Sequence, residues 1–296
     1  MNLLLEGMNM SDQAASLRRK FNKSSNVKHA KTISIVSGKG GVGKSNTALN
    51  LSIELQQQGK NVLLFDLDIG MGNIDILMGI HAKFTILDMF SNFLPIHDII
   101  ELGPSNLSYI AGGTGGTDLF DFTEAKMNYF YEQYEILQRT YDYIIFDLGA
   151  GVSKESLYFT LSSDECFVVT TPEPTALMDA YGMVKHIFNN RRKMPIYVLM
   201  NRCQKQKDCL EKLNQFQQII ERFLQEKVYV LGSLPEDKIV TKAVNEQVPY
   251  IELNKHAPIS KAMRTIVARY LNDTNDSCAN ESLTFIQRVK QLITKR

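Results

Sequence analysis

Short apolar runs recur along residues 32 to 271, each followed by a stretch in which apolar residues return every three or four positions. The runs lie at 32–37 (TISIVS), 61–66 (NVLLFD), 107–110 (LSYI), 142–147 (DYIIFD), 166–171 (CFVVTT), 196–201 (IYVLMN) and 228–232 (VYVLG). They are rich in Val, Ile, Leu and aromatic residues and do not alternate with polar ones, which predicts strands covered on both faces. The helical patterns fall at 44–58, 124–138, 153–162, 175–190, 209–226, 237–246 and 258–271. Strand and helix in alternation predict an α/β fold, a mostly parallel twisted sheet of about seven or eight strands with helices on both faces and right-handed crossovers. Ligands in such sheets bind beyond the carboxyl ends of the strands.

The ends of the chain are patterned differently. Residues 1–31 are polar, with one short amphipathic piece, SDQAASLRRKF. There Ser11 or Asp12 can cap a helix that carries Ala14, Leu17 and Phe21 on one face. A polar linker over 272–281 precedes the last amphipathic segment, 282–296. On a helical wheel Leu283, Phe285, Ile286, Val289, Leu292 and Ile293 occupy one half. Thr284, Gln287, Arg288, Gln291, Thr294 and Lys295 occupy the other, and Lys290 at the border can snorkel. A basic amphipathic helix behind a polar tether predicts reversible attachment to an anionic membrane surface, stronger for two linked copies than for one.

Composition narrows the class. The 296 residues carry 33 Lys plus Arg against 32 Asp plus Glu, so the chain is not a basic nucleic-acid coat and a nucleic-acid partner is not expected. With 44% apolar residues there is material for a buried core. No apolar run is long enough to span a membrane, and the first ten residues lack a basic n-region and a long apolar h-region. The four cysteines are too few and too scattered for a disulfide framework and show no zinc-ligand spacing. The expectation is a protein of the reducing cytoplasm.

The chemistry begins after the first strand. Gly38, Gly43, Lys44 and Ser45 satisfy GxxxxGK(S/T) within Ser37–Ser45, between a strand and a helix. Glycines let main-chain N–H groups turn toward phosphate oxygens, and the helix N-terminus adds positive potential. The loop Gly38, Lys39, Gly40, Gly41, Val42, Gly43, Lys44, Ser45, with Asn46 behind it, predicts an ATP site. Lys44 would reach the β- and γ-phosphates and the Ser45 hydroxyl would ligate Mg²⁺. Asp147 ends an apolar strand before a glycine turn, the pattern of a carboxylate that holds magnesium through water.

Lys39 puts a second lysine inside the loop, and KGGVGKS resembles the deviant Walker A of the MinD/ParA class of P-loop ATPases. The resemblance runs through the whole middle zone, 32–271, and its implications are specific. Lys39 would cross the interface of an ATP-bound homodimer and neutralise charge on the partner's transferred phosphoryl group. Asp68 would position the attacking water, Asp66 would serve magnesium, and Gly70, Gly149 and Gly151 would give two switches their freedom. Asn201 and Arg202, with Pro235, Glu236 and Asp237, would hold the adenine base.

Within that class, Asp12–Arg18 looks like the DQAxxLR signature of the FlhG (YlxH) family of flagellar-number ATPases. That resemblance implies a GTPase-activating role for Gln13 and Arg18 toward the GTPase FlhF, and contacts with flagellar C-ring proteins. It divides the chain into an FlhF-activating extension (1–31), an ATPase domain (32–271), a linker (272–281) and a membrane-targeting helix (282–296). A division-site MinD and a DNA-partitioning ParA share the ATPase motifs and stand as alternatives.

Overall fold

The computed structural model describes residues 29–68, 72–113, 124–151, 153–274 and 283–294. The strands are β1 (Lys31–Val36), β2 (Val62–Leu67), β3 (Glu101–Leu102), β4 (Ser108–Ile110), β5 (Tyr143–Leu148), β6 (Glu165–Thr170), β7 (Ile196–Cys203) and β8 (Tyr229–Pro235). They form one sheet in the order β3-β4-β2-β5-β1-β6-β7-β8. Every pairing is parallel except that of β3 with β4. The seven predicted strands are all present. β3 was not foreseen, because two residues are too few to show a period.

The helices are α1 (Lys44–Gln57), α2 (Ile74–Met78), α3 (Ile86–Asn92), α4 (Glu124–Thr140), α5 (Lys154–Ser162), α6 (Pro174–Asn190), α7 (Gln206–Leu224), α8 (Lys238–Glu246), α9 (Tyr250–Leu253), α10 (Pro258–Thr274) and α11 (Phe285–Thr294). The short α2, α3 and α9 were not predicted. Local hydrogen bonding sustains α3, where Thr85 and Asp88 cap each other reciprocally.

The two faces of the sheet divide the strand residues by parity. Ile33, Ile35, Leu64 and Ile145 point to the layer of α1, α9 and α10, while Phe65, Ile144 and Phe146 point to that of α4, α5, α6 and α7. Since helices cover both layers, alternate positions are equally apolar, which is why the strands read as continuous runs.

Two expectations are corrected by the fold. Cys203, at the end of β7, and Cys209, in the first turn of α7, are joined by a disulfide, their Cα atoms 6.1 Å apart. A tight βα turn brings together residues that spacing alone did not pair. The second correction concerns one side chain of α11, Arg288. The helix's apolar face, the one expected to meet a membrane, lies here on the protein's own domain. Phe285 is buried and its ring meets Tyr134 at 4.7 Å, Phe146 at 5.2 Å and Phe159 at 6.0 Å between centroids. Ile286 and Val289 are buried beside it, Leu292 is partly buried, and the Lys290 ammonium lies 4.5 Å from the centre of the Tyr131 ring. Arg288, placed by the wheel on the polar half, is also buried. It donates to the carbonyl of Ser162 at 2.6 Å and to that of Leu283 at 2.7 Å, and pairs with Asp164. A wheel assumes one wet face, but the Ser162 carbonyl at the end of α5, the Asp164 carboxylate just beyond it and the Leu283 carbonyl make burial of this guanidinium tolerable. Leu283 stays 36% exposed. The side chain of Ile293 lies outside the described residues.

Candidate active site

β1 runs through the middle of the sheet between β5 and β6, so its carboxyl end opens where the strand order reverses. The chain leaves it through Ser37–Gly43 and enters α1. Gly41 (φ 78°) and Gly43 (φ 89°) are left-handed, a conformation a side chain would strain. Gly43 is also crowded by the Asn201 amide, and a Cβ on Gly38 would strike the main chain of Asp179. Nothing stands within 4 Å of where a Cβ would be on Gly40 or Gly41, so the middle of the loop is free to meet a phosphate. The first turn of α1 carries no acidic side chain to oppose an anion.

The buried Lys44 converges with the acidic residues of two neighbouring strands. Its ammonium is 2.7 Å from Asp147 Oδ1, 3.7 Å from Asp68 Oδ2 and 3.4 Å from Ser45 Oγ. Asp147 at the end of β5 is fully buried, and burial pushes its carboxyl up against the opposing pull of Lys44. Asp147 Oδ2 is buried with no hydrogen-bond partner. An orphaned carboxylate oxygen beside a hydroxyl and a phosphate loop fits the demands of Mg²⁺ or its water, so Ser45 and Asp147 are the residues that would hold the ion. Asp66 is pushed up to about 7, first by burial and then by the charge of Asp147. Its oxygens do not face the loop lysine. Oδ1 accepts from the N–H of Asp68 at 3.0 Å, and Oδ2 from those of Asn73 at 3.1 Å and Ile74 at 3.3 Å.

The chain leaving β5 passes over the same cluster. A Cβ on Gly149 would come within 3.2 Å of Asp68 Oδ1, so glycine lets β5's exit approach that carboxylate. Gly151 is left-handed (φ 81°) and its N–H donates to the Ser37 carbonyl at 3.0 Å, tying this exit to the phosphate loop.

Lys39 lies at the mouth. Its ammonium is 2.7 Å from Glu173 Oε2 and 3.2 Å from Thr175 Oγ1, at the start of α6. That hydrogen bond and the lysine's charge hold the Glu173 carboxyl below its ordinary value. Sequence reading missed Glu173 and Thr175. The Glu-Pro pair signals a helix start, but no spacing links it to a loop 134 residues earlier.

Behind the loop is a cavity of about 380 Å³ lined by Asn46, Asn201, Arg202, Pro235, Glu236 and Asp237 among others, all residues assigned to the nucleotide. Val240 and Val244 of α8 also line it and were not foreseen. They supply the apolar surface a flat base requires. Two of the assigned side chains are engaged elsewhere. The Asn201 amide donates to the Val42 carbonyl at 2.9 Å and accepts from the N–H of Arg202 at 2.8 Å. Asp237 caps α8 through the N–H of Ile239 at 3.1 Å and reaches that of Ile259 at 3.4 Å. Both brace the cavity wall. Gln13, Arg18 and Gly70 lie outside the described residues.

A glycine loop leading into a helix, with its lysine against a strand-end aspartate at the sheet's switch point, defines a P-loop nucleotide hydrolase. A ParA family model, described as NUBPL iron-transfer P-loop NTPase, matches residues 27–271. The chain is 26% identical over 237 residues to the antiactivator FleN of Pseudomonas aeruginosa, covering 80% of this chain and 85% of that one. It is 31% identical over 225 residues to the flagellum site-determining protein YlxH of Helicobacter pylori, covering 75% of each. The structure superposes on the Mg-ADP complex of the septum site-determining protein MinD of Pyrococcus horikoshii with a TM-score of 0.67 at 24% identity, over 83% of this chain and 98% of that one. The chain therefore belongs to the MinD/ParA family of P-loop ATPases and is FlhG-like.

Proposed function

We propose that this ATPase is a nucleotide-controlled dimer that acts on flagellar number and placement. The single observation that carries the reading is the convergence of Lys44, Asp147 and Asp68 on one phosphate loop, with a second lysine, Lys39, at its mouth. The main-chain N–H groups of the loop and Lys44 bind the phosphates, and Ser45 and Asp147 hold the metal. Magnesium, when bound, offsets charge on the phosphate oxygens. Asp68, at the rim of the cluster, accepts a hydrogen bond from the attacking water and orients it. Lys39 leaves Glu173 and Thr175 and reaches the partner's phosphates. An exposed ion pair is weak in water, so giving it up is a small obstacle.

The reading is tested by Asp68→Ala. Turnover is expected to fall at least about 100-fold, while size-exclusion chromatography with ATP still shows the dimer and ADP gives monomer. Turnover within about twofold of the parent would defeat the water-positioning role of Asp68.

The flagellar part of the reading is supported by the relative YlxH, whose name makes it a flagellum site-determining protein. The extension 1–31 is proposed to stimulate the GTPase FlhF through Gln13 and Arg18, a glutamine being able to orient water in a neighbour's site. Deleting residues 1–22 is expected to abolish that stimulation without changing the chain's own ATP turnover; undiminished stimulation would remove Gln13 from the scheme. Contacts with C-ring proteins, and membrane attachment through α11 once it is released, complete the proposal. No helix among the described residues is long and apolar enough to cross a membrane, and the attachment proposed is a peripheral one.

A further inference from the structure

We infer that Asp66 is a positioning residue that staples the first switch and thereby aims Asp68, in place of the magnesium role its sequence context suggests. The inference rests on the reading above that Asp68 orients water. Asp66 and Asp147 are cross-strand neighbours, paired in the register of β2 and β5. Two equivalent carboxylates at that edge would both be expected to face the metal. The structure separates them. Asp147 turns one oxygen to Lys44 and keeps the other unpartnered, whereas both oxygens of Asp66 are taken by main-chain N–H groups.

Those donors come from the two ends of one loop. Asp68 lies on its near side, and Asn73 and Ile74, where α2 begins, lie on its far side. A single carboxylate therefore joins the two flanks and fixes the main chain of Asp68, whose side chain is then left within reach of Lys44 and Gly149. Asp66 is 2% exposed, so its bonds are shielded from water. Its surroundings are shaped to it: a Cβ on Gly72 would come within 2.9 Å of Asp66 Oδ2, and one on Gly112 within 2.7 Å of the Asp66 carbonyl. The requirement for glycine at both positions is thus steric and local to Asp66. Of the two strand-end carboxylates, one is reserved for the ion and the other for the loop.

Asparagine is nearly isosteric with aspartate, but it presents an N–H₂ where one of the two oxygens stood. Whichever end of the loop keeps the oxygen, the other meets donor against donor. For Asp66→Asn in the full chain, kcat for ATP hydrolysis is expected to fall about 10- to 100-fold, the cost of a misaimed group. Affinity for a non-hydrolysable ATP analogue and the half-saturating Mg²⁺ concentration should stay within about twofold. Amide hydrogen exchange at Asp68 and Ile74 should accelerate. Gly72→Ala, which displaces the same carboxylate without altering any polar atom, should reproduce this pattern, and it decides the matter if Asp66→Asn fails to fold in a thermal melt. A half-saturating Mg²⁺ concentration raised about tenfold, with or without a fall in kcat, would overturn the inference in favour of a metal role. A kcat within about twofold of the parent would overturn it as well. Full activity of Asp66→Asn beside an inactive Asp68→Ala removes this inference alone; full activity of Asp68→Ala removes the reading beneath it.

Discussion

Substituting Lys39 by alanine is expected to reduce ATP turnover by about 1,000-fold or more, the scale on which a cationic finger acts in phosphoryl transfer. ATP binding should change far less, because Lys44, the loop N–H groups and the α1 terminus remain. In the isolated subunit the Lys39 ammonium is bound by Glu173 and Thr175. In the dimer proposed here, the site it serves is its partner's. Mixing makes the test specific. Lys39→Ala and Asp68→Ala subunits are each inactive alone, but in their heterodimer the Lys39→Ala subunit keeps its own Asp68 and borrows an intact Lys39. Random pairing of equal amounts leaves one competent site in half of the dimers, so about a quarter of parental turnover should return. If mixing restores nothing while Lys39→Ala alone is inactive, the lysine works within its own subunit and the shared site is wrong.

Phe285→Ala should cost about 3–5 kcal/mol of stability in urea denaturation, the range for removing a buried aromatic ring. The ring is 1% exposed and meets Tyr134, Phe146 and Phe159, so its loss leaves a cavity bounded by three rigid side chains. A cost below about 1 kcal/mol would mean that α11 spends its time off the domain. The same packing makes membrane attachment a competition. Releasing α11 exposes Phe285, Ile286 and Val289, each worth about 1.5–3 kcal/mol of burial, and breaks the pairing of Arg288 with Asp164. Asp164→Asn weakens the dock without touching the helix, so it should increase binding to anionic vesicles; unchanged binding would separate α11 from any membrane role. Phe146, against which Phe285 stacks, immediately precedes Asp147, so the docked helix rests on the strand that carries the proposed metal ligand.

The α/β alternation, the seven principal strands and the phosphate loop were legible in the sequence because each has a short-range cause. Burial on both faces makes strands such as Tyr143–Leu148 continuous apolar runs, and left-handed backbone demands glycine at Gly41 and Gly43. The second lysine was equally plain, as was Asp147 at a strand end. Tertiary structure decided everything that depends on which groups meet. The polarity of Arg288 is the same on a helical wheel as in the fold, yet only the carbonyl of Ser162 and the carboxylate of Asp164 make it a buried anchor. Cys203 and Cys209 pair through a turn, Lys39 finds Glu173, and two neighbouring aspartates take opposite tasks according to which of them faces the loop N–H groups. Local preference and periodicity act over a few residues and can be read from order alone. Desolvation and hydrogen bonding act between residues more than a hundred positions apart, and their partners are known only once the chain has folded.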